Sequence, residues 1–232
     1  MTDVSPRNRL TTPHSAAAAG VLFALLFGAA LVCIKTSLPQ GAAPGSQFLD
    51  GANLRLRVAA ILMPFAGIAF LWFIGVVRDG FGELEDRFFS SVFLGSGLLF
   101  LSVIFAASAV GAGLAADHGG ASALHSQMTE FGRGLLMTLT QTYAIRMAAV
   151  FMMSSATIWL RTGLMPRWLV VLTYLVALAN LVAGETTMWL VLSFPVWVLV
   201  VSVLLLMRAE SHRSGDVAAV VSSGAAPRPD RA

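Results

Sequence analysis

In the stretch QTYAIRMAAVFMM, Gln141 to Met153, Arg146 is the one charged side chain, and every residue from Met147 to Met153 is apolar. An arginine keeps its charge in any protein environment, and its planar guanidinium is shaped to grip a carboxylate or a phosphate with two parallel hydrogen bonds. The chemistry on offer is therefore anion holding, by a ligand or by a carboxylate of the same chain. Thr138, Thr140, Gln141, Thr142 and Tyr143 precede it and make the outer half of the segment polar. At 100° per residue, Thr142 and Tyr143 lie within about 60° of the Arg146 direction, as do Val150, Met153 and Thr157. That pattern predicts a helix whose polar outer half faces other helices or a water-filled vestibule. The competing explanation is an arginine that snorkels to the headgroups, since insertion scales charge only about 2.5 to 3.5 kcal/mol even for a central arginine.

Partners at a matching level are Asn180 and Glu185, with Glu130, Asp117 and Asp50 behind them. Glu185 is the first carboxylate to consider, although an acidic residue at the start of a helix is also favoured simply as a cap. The candidate binding residues are thus Arg146, Glu185, Asn180, Gln141, Thr142 and Tyr143.

Other chemistry is thin. Asp117, His118 and His125 in DHGGASALH lack the i, i+4 helical spacing of a strong zinc motif. Cys33 is the single cysteine, which excludes an internal disulfide and a cysteine-based metal cluster. No Ser, His and acid set falls inside the apolar segments, and there is no glycine-rich phosphate loop. RDGFGELEDR, Arg78 to Arg87, lacks the ligand spacing of a calcium loop and reads as a solvated turn between helices. No catalytic residue, metal or cofactor is expected.

The elements that must position Arg146 follow from composition. Charged residues make up 12% of the 232 residues and hydrophobic ones 57%, with a mean hydropathy of +0.79. A soluble domain carries about 25% charge, so this is membrane composition. Crossing a hydrocarbon core of about 30 Å takes roughly 20 helical residues. Six stretches have that character: Ala16 to Ile34, Val58 to Val77, Phe88 to Leu114, Gly134 to Leu160, Trp168 to Ala183 and Thr187 to Met207. They are too long and too uniformly apolar for strands, so the fold class is all-α, a polytopic transmembrane bundle of six helices over residues 16–211. Residues 1–15 and 212–232 are rich in Ser, Pro, Ala, Gly and Arg and read as cytoplasmic tails without a core of their own.

With the N-terminus in the cytoplasm, the inner side holds Arg7, Arg9, Arg78, Arg87, Arg161, Arg167, Arg208, Arg213, Arg228 and Arg231, ten cations against four outside, Lys35, Arg55, Arg57 and Arg133. Both termini are therefore expected inside, in the cytoplasmic (inner) membrane of a bacterium. The pI of about 9.7 reports topology and anionic headgroups rather than nucleic acid, for which a soluble basic face would be needed. A cleaved signal peptide over residues 1–43 is the alternative for the first segment, which at 19 residues is long for a signal core.

The third segment carries small residues four apart, Ser91 with Gly95, Ala107 with Gly111 and Ala109 with Gly113. Such pairs let helices approach closely in lipid, so this helix is expected at the centre of the packing. Pro64 and Pro195 do not occupy corresponding places in two halves, so no inverted repeat of the transporter kind is visible. RDGFGELEDRFFSSVFLGSGLLF and MPRWLVVLTYLVALANLVAG resemble segments of multi-pass membrane proteins of GC-rich actinobacteria that have no assigned function. The resemblance implies a multi-pass membrane fold and brings no activity or site residues. The expected partners are the lipid bilayer and a second copy or another membrane protein. The function expected is non-enzymatic binding or assembly in the membrane. Its rivals are a transporter or channel for a small anionic solute and a membrane-embedded enzyme.

Overall fold

The computed structural model describes residues 12–37, 52–79, 87–116, 123–163, 165–183 and 188–207, and among them there are helices and no strand. In chain order these are α1 (Thr12–Ser37), α2 (Ala52–Asp79), α3 (Arg87–Ala116), α4 (Ala123–Thr138), a π-helical segment (Leu139–Ala144), α5 (Ile145–Thr162), α6 (Arg167–Ala183), α7 (Met188–Val191) and α8 (Ser193–Met207). Four stretches are long and apolar enough to cross a membrane: Ala17–Ser37, Leu54–Arg78, Phe88–Ala116 and Ser126–Thr162. α6 and α8 are shorter apolar helices. This is the composition and architecture of a membrane protein. Of the expected tails, residues 1–11 and 212–232 lie outside the described residues, and residues 12–15 are the first turn of α1.

Local chemistry explains the element ends. Gly163 ends α5 in the left-handed region at φ 67°, which only glycine occupies without strain, and its N–H reaches the Trp159 carbonyl at 2.9 Å. The carbonyl of Pro166 accepts the N–H groups of Leu169 and Val170 and starts α6. Arg55 Nη1 donates to the Thr36 carbonyl at 3.0 Å, so a cation from α2 satisfies one of the orphan carbonyls at the C-terminus of α1. At the opposite end of the bundle the Arg161 guanidinium lies 4.6 Å from the centre of the Phe89 ring and joins the end of α5 to the start of α3. The sixth apolar stretch, continuous in sequence, is broken at Leu192 into α7 and α8. Pro195 is the reason: it has no N–H for the Val191 carbonyl, and its ring crowds the preceding turn.

The core is aromatic. Phe23 and Phe27 of α1, Phe70 and Phe73 of α2, Phe93 and Phe100 of α3, Phe151 and Trp159 of α5, and Phe194 and Trp197 of α8 form one connected set of ring contacts. Phe194 is the hub, with ring centroids 4.8 Å from Phe100, 5.7 Å from Phe70, 5.9 Å from Phe23 and 6.1 Å from both Phe151 and Trp197. α1 reaches α8 because Gly20 has no side chain: a Cβ there would run into Ser202 Oγ and lie 2.8 Å from the Phe73 ring.

The centre of the bundle is α5, not the third segment. From Ala144 to Trp159 no residue is exposed. The Ser126–Thr162 stretch is 61% buried over its most apolar window, whereas Phe88–Ala116 is 33% buried and is the most open of the four. The small residues of α3 divide accordingly. Ala107 and Gly111 are buried, while Ser91, Ala109 and Gly113 face outward. Close approach between helices needs small residues only along one line, and the volume at the centre is filled by phenylalanines instead.

Candidate functional site

Arg146 stands in the first turn of α5, and the elements around α5 determine what it can reach. On this enclosed helix the residues that are neither buried nor exposed are Arg146, Met147, Val150, Met153 and Thr157. Arg146, Val150, Met153 and Thr157 follow one another at i, i+4, i+7 and i+11, so they form a single stripe along α5. Between Ala144 and Trp159 this stripe, with Met147 beside it, is the part of the central helix that solvent or lipid can reach. At its inner end Thr157 Oγ1 and Tyr174 OH are 2.7 Å apart, which places the stripe beside α6. Thr157 also donates to the Met153 carbonyl at 2.8 Å.

The polar segment before Arg146 is a π-helix, Leu139–Ala144. Its i→i+5 bonding widens the turn by one residue, so the 100° rule does not carry from Arg146 back to Thr142 and Tyr143. Tyr143 is 56% exposed and Thr142 half-buried. Gln141 is half-buried with Nε2 3.4 Å from Met137 Sδ, and Thr140 is buried and donates to the Leu136 carbonyl at 2.8 Å. The segment joins two packing demands. Outside it, α4 packs on α3 where Leu114 covers Gly132; inside it, α5 is enclosed except along the Arg146 stripe and at its inner end. The first part of α4 was not foreseen in the sequence: the fourth apolar stretch was expected to begin at Gly134, whereas α4 begins at Ala123.

Asn180 is fully buried on α6 and turned toward α8. Its Nδ2 donates to Ser193 Oγ at 2.8 Å and to the Val176 carbonyl at 3.0 Å, and its Oδ1 lies 3.1 Å from the same Ser193 hydroxyl. Glu185, Asp117, His118 and Asp50 lie outside the described residues. Glu130 pairs with Arg133 at 3.4 Å within α4. Among the described residues no group of three His, Cys, Asp or Glu side chains is close enough to hold a metal ion.

Two interhelical bonds had no forecast in the sequence: Thr157 with Tyr174, and Trp197 Nε1 donating to Thr173 Oγ1 at 2.9 Å. With Asn180 and Ser193 they tie α6 to α5 and α8 by side-chain hydrogen bonds, whereas the ring contacts that join the rest of the bundle include no side chain from α6. A signal for α5 as the centre did exist: IRMAAVFMMSSATIW carries small or apolar residues on every side, the mark of an enclosed helix. Asn180→Leu is expected to lower stability in detergent by about 1–2 kcal/mol, because Ser193 loses its partner and the amide its three contacts. Thermal unfolding measures this, and a variant within about 0.3 kcal/mol of the wild type would show that the pair contributes nothing.

Compared with known proteins, the chain matches no family model, no curated protein and no solved structure.

Proposed function

We propose that the chain is a six-span protein of the bacterial inner membrane with both termini in the cytoplasm, and that it binds or assembles a membrane component through an outward-facing pocket around Arg146. The observation that carries this reading is the accessible stripe on an otherwise enclosed central helix, with a permanent cation at its outer end. A lipid-facing arginine would stand on an outer helix among exposed aliphatic residues, as Leu175, Leu178 and Val182 do on α6. Counting about 20 residues outward from Arg161 puts Arg146 roughly 7 Å inside the outer hydrocarbon edge. The place of Phe23 and Phe27 within the ring network supports a retained first span over a cleaved signal.

Two experiments test it. Reporter fusions after Gly120 are expected to read as outside and fusions after Arg213 as inside, from the ten-to-four cation count. A C-terminal fusion reading outside would sink the six-span arrangement. Solute uptake into proteoliposomes separates the pocket from the transporter alternative: no uptake is expected, and an anion flux lost in Arg146→Ala would replace this reading with transport.

A further inference from the structure

We infer that the accessible stripe on α5 seats one acyl chain of an anionic phospholipid from the outer leaflet, with the phosphodiester held by Arg146. The inference rests on the outward-facing pocket proposed above and names its ligand. The stripe has a charged head and an apolar body, since Val150 and Met153 follow Arg146 at successive turns. A hydrated inorganic anion would gain nothing from that apolar body, whereas an amphiphile uses both parts. From Arg146 to Thr157 is three turns, about 16 Å, and a stripe that starts about 7 Å below the outer edge of a core about 30 Å thick has Val150 within the outer leaflet, Met153 close to the midplane and Thr157 beyond it. The far end is closed by the Thr157 and Tyr174 hydroxyls, which bond each other at 2.7 Å and so ask for no polar group from the tail. Arg146 sits roughly 7 Å inside the hydrocarbon edge, and helical side chains lean toward the N-terminus, here the outer side. The guanidinium therefore reaches toward the level of the phosphodiesters while the stripe below it faces the chains. Five donors let one guanidinium serve a headgroup together with a carboxylate of the protein.

The test uses the full chain in a neutral detergent, with its unfolding temperature followed as phosphatidylglycerol, phosphatidylcholine of the same chains, or sn-glycerol 3-phosphate is added. Phosphatidylglycerol is expected to raise the midpoint by about 4 °C or more, phosphatidylcholine by clearly less, and glycerol 3-phosphate not at all. Arg146→Gln is expected to lose the phosphatidylglycerol increment, and so is Val150→Trp, which fills the stripe without touching the charge. Should Val150→Trp fail to fold, the comparison of the three additives on the wild-type protein decides by itself. Equal stabilisation by phosphatidylcholine would remove the anion recognition. Equal stabilisation by glycerol 3-phosphate would make this a free-anion site, and an unchanged increment in Arg146→Gln would remove the arginine from it. Any of these with residue 120 reported outside overturns the lipid while the outward-facing pocket stands; residue 120 reported inside overturns both.

Discussion

Phe194→Ala is expected to cost about 3 kcal/mol of stability, the low end of the range for emptying a buried phenylalanine site. The ring is fully buried and meets Phe23, Phe70, Phe100, Phe151 and Trp197, so its loss opens a cavity bordered by four other helices. The low end applies because lipid tails are as apolar as the core. The variant loses dispersion contacts and edge-to-face ring geometry more than it loses shelter from water. Phe194→Leu refills most of the volume and is expected to cost less than about 1.5 kcal/mol. Reversible unfolding in mixed micelles measures both, and a Phe194→Ala cost below about 1 kcal/mol would show that the hub can be removed without consequence.

Arg146→Ala and Glu185→Ala are each expected to lose about 2–3 kcal/mol, and the double variant is expected to be less damaged than their sum by at least about 1 kcal/mol. The support is a register. α5 and α6 are joined by a short turn and run antiparallel, and Thr157 meets Tyr174 across them. Arg146 is about three turns outward from Thr157, and the end of α6 at Ala183, nine residues beyond Tyr174, comes level with Ala148, two residues inward of Arg146. Glu185 itself lies outside the described residues. Removing either partner of a desolvated pair strands the other charge, which is why each single change costs more than the pair contributes. Arg146→Lys is expected to recover only part of the loss, since an ammonium cannot make the forked contact. Strictly additive losses would show that the two side chains do not meet and would return Arg146 to the snorkelling explanation.

Much of the architecture was legible because composition and segment length are properties of the chain alone. Four of the apolar stretches reappear in helices long enough to cross a membrane, the fifth as the shorter helix α6 and the sixth as α7 and α8, with α1 and α2 running beyond their expected ends. Depth within the bundle was not legible in the same way. The small residues of α3 marked where two backbones come close, and that is a weaker statement than which helix the others surround. α5 carries its evidence more diffusely, in the absence of any large exposed residue between Ala144 and Trp159. The π-helical segment could not be foreseen, because no residue type in LTQTYA specifies i→i+5 bonding. The expected grouping of Thr142 and Tyr143 with Arg146 came from a wheel that assumed one unbroken helix, whereas a π-helical segment carries both residues. Asn180 was singled out as a candidate partner of Arg146, whereas its hydrogen bonds run to Ser193 of α8 and to the Val176 carbonyl. Whether Arg146 and Glu185 meet is the question left to the double variant.

The position of α5 in the chain has a consequence for how the protein is made. The helix that ends up most enclosed is followed by two of the elements that enclose it, α6 and α8. While the ribosome is still adding them, α5 can pack on α3 but its far side, with Met153, Thr157 and Trp159, has nothing but lipid against it. The Arg146 guanidinium and the Thr157 hydroxyl are then held by the earlier helices alone. The bundle is therefore closed last by α6 and α8, and a chain ending at Gly163 would lack the partners of Thr157 and Trp159, namely Tyr174 and Trp197.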